Sequence, residues 1–247
     1  MSVSTDGRMK QGLLRRLAMV VIGVLVANSV QAVTISPVMV ELTPAHRVVA
    51  VTVSNESDLP LTLQTETLAW TQLNGEDRNE ENDDLLVVPP LAEIKPGGSQ
   101  IFRVTLRKPA SAVAERAYRL VLDDVSAIKK ETKGVGVTFS FSHRLPVFVA
   151  GTGKIGPKPH LGMCPAPASS GCVRLDNEGD RFYQVKRLIV KGRNWHKEVD
   201  AGTRVLAGSW KQWTFALPAN HSGPLTVNAE TSAGPVSLEL PAPGQRR

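Results

Sequence analysis

The most regular pattern in the chain is an alternation of apolar and polar residues between Gly134 and Gly151. A period of two residues predicts a β-strand with one apolar face. At about 3.3 Å per residue, the segment 135–149 would span roughly 50 Å, whereas most strands reach about 17–20 Å. The predicted strand is therefore too long for one small domain to cover. Its odd positions carry Val135, Val137, Phe139, Phe141, His143, Leu145, Val147 and Val149, of which only the histidine is polar.

Shorter strand patterns precede this segment and give seven or eight strands between residues 33 and 150. Turn signals recur every eight to twelve residues, which favours an immunoglobulin-like β-sandwich. The first pattern, VTISPVMVEL, contains Pro37 and is predicted to be an edge strand. The acidic stretch NGEDRNEENDD at 74–84 is predicted to be a solvated loop.

A second set of strand patterns follows the Gly/Pro-rich segment 151–160, GTGKIGPKPH, which is predicted to be a linker. These patterns fill residues 161–241, and residues 242–247 have the composition of a flexible tail. The predicted fold is all-β, with two immunoglobulin-like sandwiches at 33–150 and 161–241. The patterns are CVRLDNEG, FYQVKRLIVKG, TRVLAGSWKQWTFAL, PLTVNAETSAG and PVSLELP.

Residues 1–32 have the composition of a cleavable secretory signal peptide. Four basic residues precede the apolar run LAMVVIGVLVANSV, and small residues end the segment at Ala32. An N-terminal membrane anchor is the weaker alternative, because the run is shorter than the roughly 20 residues that a spanning helix needs. Cleavage would also remove Asp6, so the formal net charge of +6 would fall by three.

The remaining composition offers little chemistry for catalysis or for nucleic-acid binding. The mild basic excess is spread along the chain without interleaved aromatic residues, which disfavours a nucleic-acid partner. Nucleophile, phosphate and dinucleotide motifs are missing, and the histidines occur singly. We expect no enzyme, no cofactor and no metal site. The histidines are His46, His143, His160, His196 and His221.

Cys164 and Cys172 are predicted to form a structural disulfide, because an isolated pair in an exported chain meets an oxidising compartment. The redox-active and metal-binding alternatives are weaker, since the spacing is not CxxC and no histidine cluster accompanies the pair. Closing so short a loop stabilises a fold by about 2–3 kcal/mol.

Two arginines interrupt otherwise apolar strands. Arg119 begins the pattern RLVL, and Arg144 lies in the alternating strand on the face opposite its apolar stripe. The simpler interpretation is that both side chains face solvent or snorkel towards it. The alternative is a cationic socket between two domains, in which planar guanidinium groups bind a carboxylate.

An ordered set of segments resembles a known family. ISPVMVEL, VTVSN, PPLAEIKPGGSQIFRVTL and YRLVLDDV precede the alternating strand in this order, and the PP…PG…R segment is the most specific. Together with the signal peptide, they are similar to the periplasmic chaperones of the chaperone–usher pathway of bacterial pili. The resemblance covers nearly all of residues 33–241 and is looser in the second domain, where VLAGSWKQWTFALP corresponds.

The resemblance implies two immunoglobulin-like domains at an angle with a cleft between them. It also implies donor-strand complementation, in which the last strand of the first domain lends apolar side chains to a pilin that lacks its final strand. The implied partners are pilin subunits and an outer-membrane usher. Self-association of the free protein is expected too, because an exposed aromatic edge promotes aggregation. The donor positions fall on Val135, Val137, Phe139 and Phe141.

One departure from the family pattern concerns the anchor for the pilin's terminal carboxylate. The commonest members use an Arg on the first strand and a Lys late on the long strand, and the equivalent residues here are Met39 and Pro146. This departure is typical of a divergent branch. Our hypothesis is that Arg119 and Arg144 form the anchor instead.

The alternative function is that of a secreted β-sandwich adhesin or glycan-binding protein. Its binding surface would be an exposed stripe of tryptophan side chains without cleft arginines. The chain has four tryptophans, Trp70, Trp195, Trp210 and Trp213.

Overall fold

The computed structural model describes residues 33–107, 112–126, 140–167, 169–219, 221 and 223–240. The described residues form 18 β-strands arranged as two sandwiches. The predicted signal peptide, the predicted tail and the donor positions Val135, Val137 and Phe139 lie outside the described residues. Within the described ranges, no helix has the length and apolar character to cross a membrane.

Ten strands build the first sandwich. One sheet has the order β1-β3-β8-β6, and the other has the order β2-β10-β9-β4-β5 with β7 also paired to β4. The strands are β1 (Val33–Ser36), β2 (Val40–Leu42), β3 (Val48–Asn55), β4 (Leu61–Leu73), β5 (Glu76–Glu81), β6 (Leu85–Val88), β7 (Leu91–Ile94), β8 (Ser99–Leu106), β9 (Arg116–Asp124) and β10 (Ser142–Val149).

The alternating sequence pattern positions the core of this sandwich. Leu145, Val147 and Val149 of β10 point into the layer between the two sheets, where they meet buried residues such as Phe102 and Leu120. The apolar stripe predicted for the alternating strand is therefore observed over the described length of β10.

The N-terminal pattern that was predicted as one edge strand is two strands. Pro37 follows β1 directly, and the chain then crosses to the other sheet before β2 begins. Both pieces occupy sheet edges, and Pro37, which cannot donate a hydrogen bond to a sheet ladder, lies in the break between them. β2 pairs in parallel with the end of β10, through Val40 opposite Val147.

The acidic stretch at 74–84 is not a loop throughout, so that prediction was wrong. Its residues Glu76–Glu81 form β5, which pairs antiparallel with β4 through a two-residue turn. Asn74 and Gly75 both have positive φ, at 53° and 79°, as a type I′ hairpin turn requires. All six β5 residues are exposed, so pairing of the backbone rather than burial holds this edge strand.

Eight strands build the second sandwich, with sheet orders β11-β12-β16 and β14-β13-β17-β18, and with β15 also paired to β13. A separate core of buried residues, including Tyr183, Val185 and Leu188, fills the space between the two sheets. The strands are β11 (Pro159–Met163), β12 (Ser170–Asn177), β13 (Tyr183–Lys191), β14 (His196–Val199), β15 (Thr203–Val205), β16 (Trp210–Ala216), β17 (Leu225–Thr231) and β18 (Gly234–Leu240).

The predicted disulfide is present between Cys164 and Cys172. Cys164 follows β11 and Cys172 lies in β12, and the Cys164 amide also donates to the Cys172 carbonyl. The bridge therefore closes the β11–β12 hairpin at the end of a three-stranded sheet.

The connection between the sandwiches is hydrogen-bonded to both of them. The amides of Thr152 and Gly153 donate to carbonyls at 112 and 113 in the first domain. The amides of Ile155 and Gly156 donate to the two carboxylate oxygens of Asp180 in the second, each at 2.8 Å. The segment predicted as a linker is thus hydrogen-bonded to each domain. Its last two residues already belong to β11.

Candidate functional site

The edge of β10 is paired unevenly. On one side, β9 accompanies all of β10 from Ser142 to Val149. On the other side, β2 pairs only with Val147, Phe148 and Val149. Among the described residues, the edge from Ser142 to Pro146 therefore has backbone groups that no neighbouring strand covers. An open sheet edge of this kind is a template for a further strand.

Phe141, the one predicted donor residue that the structure describes, lies just before this open edge. Its side chain is 50% exposed, although its carbonyl still accepts a hydrogen bond from the Asp124 amide at 2.9 Å. A half-exposed phenylalanine beside an open sheet edge is an apolar anchor available to another chain.

Arg119 and Arg144 lie on the same face of their sheet, the face turned towards the second domain. Arg119 is directly opposite Pro146 in the β9–β10 ladder, which makes Arg144 its diagonal neighbour. The two predicted anchor residues are thus brought together. Met39 packs against the apolar cluster between the domains, and Pro146 is buried.

The two arginines differ in their surroundings. The Arg119 side chain is 18% exposed, and its guanidinium lies 3.5 Å from the ring centre of Trp70. One of its nitrogens lies 3.6 Å from a carboxylate oxygen of Asp77. Arg144 is exposed, and no ion pair joins it to another described residue. Arg144 is therefore the cation that is free to meet a new anion.

Asp77 is the acidic centre of this face. Its carboxylate accepts a hydrogen bond from the Gln72 amide at 2.9 Å and lies 2.8 Å from the Lys211 ammonium nitrogen. Burial pulls the pKa of Asp77 upward, but the hydrogen bonds from Lys211 and Gln72 and the charges of Lys211 and Arg119 hold it below its ordinary value. Since Lys211 belongs to β16, Asp77 connects the two domains.

An apolar cluster joins the domains beside these charges. Trp70, Phe148 and Leu206 are buried there, and the rings of Phe148 and Phe182 stack at a centroid distance of 3.8 Å. Gln72 adds polar contacts, because its amide group donates to the Arg204 carbonyl and accepts from the Leu206 amide. The domains are thus joined by a packed apolar cluster.

A cavity of about 310 Å³ opens between the domains next to this apolar cluster. Trp70, Gln72 and Glu115 line it from the first domain, and Leu206 and Ser209 line it from the second. Among the described residues, histidine, cysteine, aspartate and glutamate side chains do not gather in a group able to hold a metal ion.

Sequence reasoning missed Asp77, Lys211 and Arg204 as parts of the site. Asp77 lies in the stretch predicted to be a solvated loop, and the other two lie in the second domain, far along the chain. The signal that could have revealed Asp77 is the Asn74–Gly75 pair before it, because Asn-Gly between two extended segments predicts a hairpin.

The four tryptophans form no exposed platform. Trp70 is buried between the domains, and Trp195 and Trp213 pack against the core of the second sandwich. Trp210 lies beneath the guanidinium of Arg174, whose centre is 4.2 Å from the ring centroid. The exposed tryptophan stripe expected for the alternative function is therefore not observed.

Residues 32–153 match the N-terminal domain of the PapD-type pili and flagellar-assembly chaperones. Through this domain the chain belongs to the pilus-assembly chaperone family. The match covers β1 to β10 and confirms the resemblance found in the sequence. No protein of curated function matches the chain by sequence.

Solved chaperone structures extend the likeness across both domains of this family member. The CsuC–CsuE chaperone–tip adhesion subunit complex from archaic chaperone–usher Csu pili of Acinetobacter baumannii is similar with a TM-score of 0.62 and 20% identity, over 84% of this chain and 97% of that one. The SafA pilin–SafB chaperone complex of Salmonella enterica has a TM-score of 0.60 and 14% identity, over 87% and 99% of the two chains. The E. coli chaperone DraB has a TM-score of 0.56 and 17% identity, over 86% and 96%.

At these identities the similarity concerns the fold. It confirms the prediction of an all-β chain built from two immunoglobulin-like domains. The assignment of donor and anchor residues is a separate matter and rests on the geometry of this chain.

Proposed function

We propose that this family member is a periplasmic chaperone that binds pilin subunits along the open edge of β10 and delivers them to an outer-membrane usher. The observation that carries the proposal is the pairing of β10, which β9 covers throughout but β2 covers only at Val147–Val149. A pilin strand added beside Ser142–Pro146 would satisfy those backbone groups, as in donor-strand complementation.

The apolar part of the interaction is assigned to Val135, Val137, Phe139 and Phe141. The exposure of Phe141 beside the open edge supports its role, and the other three share its alternating register in the sequence. Burial of each such side chain by a pilin is worth about 1.5–3 kcal/mol before the cost of ordering the complex. The same apolar edge would favour self-association of the chaperone when no subunit is bound.

The polar part of the interaction is assigned to Arg119 and Arg144, which would bind the C-terminal carboxylate of the pilin. Arg144 offers an exposed guanidinium that forms no ion pair with another described residue, and Arg119 provides a second guanidinium that Trp70 and Asp77 hold in place. Guanidinium groups bind carboxylates through paired hydrogen bonds, so two of them can fix the position of a chain end. The proposal describes a binding protein rather than an enzyme.

The test is co-expression of the chain in a periplasm with the pilins encoded beside its gene, followed by capture on a tagged chaperone. We expect the wild-type chain to retain a pilin and the double variant Phe139→Asp/Phe141→Asp to lose it, because buried carboxylates at donor positions would be unpaired. The matched control is Val48→Asp, which adds one charge at an exposed valine of the other sheet.

If the Phe139→Asp/Phe141→Asp variant is folded and captures as much pilin as wild type, these residues are not donor residues. Loss of capture with Val48→Asp as well would show a general effect of added charge. Capture by wild type and Val48→Asp alone supports the assignment to the edge of β10.

A further inference from the structure

Arg204 of β15 carries a polar atom that the fold does not satisfy. Its Nε is buried and has no hydrogen-bond partner among the described residues. A buried guanidinium N–H without an acceptor costs free energy that an incoming anion could recover. The Arg204 Nε–H group is therefore a donor for which the described residues supply no acceptor.

The first domain contacts the backbone of Arg204 close to Arg119, one of the two proposed anchor residues. The side-chain amide of Gln72 lies 2.9 Å from the Arg204 carbonyl oxygen and 2.9 Å from a carboxylate oxygen of Asp77. Asp77 in turn contacts Arg119. The backbone of Arg204 is thus joined to the Arg119 side chain through Gln72 and Asp77, although the two arginines belong to different domains.

Positive charge exceeds negative charge at this junction. Asp77 is the carboxylate that contacts Arg119, and it is shared with Lys211. Burial, together with the charges of Arg204 and Arg144, lowers the pKa of Arg119 against the opposing effect of Asp77. Burial also lowers the pKa of Arg204. One further anion would relieve the repulsion among the three guanidinium groups.

We propose that Arg204 is the third member of the carboxylate anchor, so that the terminal carboxylate of the pilin is held by both domains. The inference rests on the proposed function and deepens it. The Trp70 ring lies under the Arg119 guanidinium, and its Nε1 is also buried with no hydrogen-bond partner among the described residues. The anchor therefore sits above the apolar cluster that joins the domains.

The test uses a synthetic peptide that reproduces the C-terminal strand of a co-encoded pilin, prepared as the free acid and as the amide. Titration calorimetry gives the ratio of the two dissociation constants for each chaperone variant. We expect wild type to prefer the acid, and Arg204→Gln to reduce that preference about tenfold, the effect of one hydrogen bond to a charged group. Arg204→Lys should restore part of it, since the positive charge returns.

Arg187→Gln is the matched control, because Arg187 lies in the neighbouring strand β13 and pairs with Glu198 at the surface. Its acid-to-amide ratio should equal that of wild type. An unchanged ratio for Arg204→Gln, or an equal weakening of acid and amide, would overturn the role of Arg204 while leaving the chaperone proposal intact. If neither peptide binds wild type, the proposed function itself fails and the inference fails with it.

Discussion

At the scale of single residues, Glu115 is the most perturbed carboxyl group of the interface. One of its oxygens accepts the Phe182 amide at 2.9 Å, so the side chain spans the two domains. Burial raises its pKa to about 7, assisted by the negative charges of Glu41 and Asp180 and opposed by the Phe182 hydrogen bond and by Arg181. The group therefore holds its proton more tightly in the folded protein than in the unfolded chain.

The consequence is a pH-dependent stability. Because the folded pKa of Glu115 exceeds the unfolded value, the free energy of unfolding should fall as pH rises from about 4.5 to about 7 and level off above that. For a half-buried group screened by solvent, we expect a loss of about 1–2 kcal/mol. Urea titrations of wild type and Glu115→Gln across this range measure the effect.

Glu115→Gln should flatten this profile, since its amide oxygen still accepts the Phe182 hydrogen bond but does not titrate. Glu239→Gln, at an exposed position of β18, should leave the profile as in wild type. A wild-type slope that persists in Glu115→Gln would assign the pH dependence to another group.

At the scale of elements, the β4–β5 hairpin of the first domain contacts the second domain through its turn. Gly75 at its tip packs against Trp210 of the second domain, and a Cβ added there would lie 2.7 Å from the indole ring. Gly97 has a similar positive φ of 68°, but a Cβ there would meet no atom within 4 Å. Comparing substitutions at the two glycines therefore separates the cost of backbone strain from the cost of crowding Trp210.

Gly75→Ala should therefore destabilise the protein more than Gly97→Ala. Both substitutions force alanine into the left-handed region, at a cost of about 1–2 kcal/mol. Only Gly75→Ala adds overpacking against Trp210, for which we expect a further 1–2 kcal/mol or so. Thermal unfolding of the two variants measures the difference in stability. Equal losses of stability would mean that the contact between residue 75 and Trp210 adds no cost.

The same hairpin shows what the sequence could and could not predict. The apolar stripe of β10 was predictable, because Leu145, Val147 and Val149 alternate with residues of the other face. Hydrophobic periodicity does not predict β5, since its charged residues pair through backbone hydrogen bonds at an exposed edge. The signal for this strand is the Asn74–Gly75 turn pair that precedes it. The Asp77–Lys211 contact was hidden, because it depends on how two separate sandwiches meet.

At the scale of the whole molecule, Lys211 and Asp77 help to fix the orientation of the domains. The Lys211 side chain is 15% exposed, and the Asp77 side chain is 34% exposed. Because the pKa of Asp77 is lowered in the folded protein, its ionised form stabilises the fold above its ordinary value of 3.8, and this contribution disappears as pH falls through the folded pKa.

Lys211→Met should loosen the junction at neutral pH by removing the ammonium group that reaches across it. We expect altered residual dipolar couplings between the domains and a stability loss of about 1–2 kcal/mol, above the value typical of an exposed pair. The loss should shrink in acid. Lys158→Met removes an exposed pair between Glu178 and the residue just before β11, contacts no residue of the first domain through that pair, and should leave the couplings unchanged.

The parallel pairing of β2 with β10 has a consequence for how the protein matures. It joins the beginning of the first domain to its end, so the seam of that domain can form only after the chain has emerged as far as Val149. Contacts between such distant segments slow folding, because the loop between them must close first. The first strands of the domain must therefore stay incompletely paired during synthesis until the last strand of the same domain is available to complete the sheet.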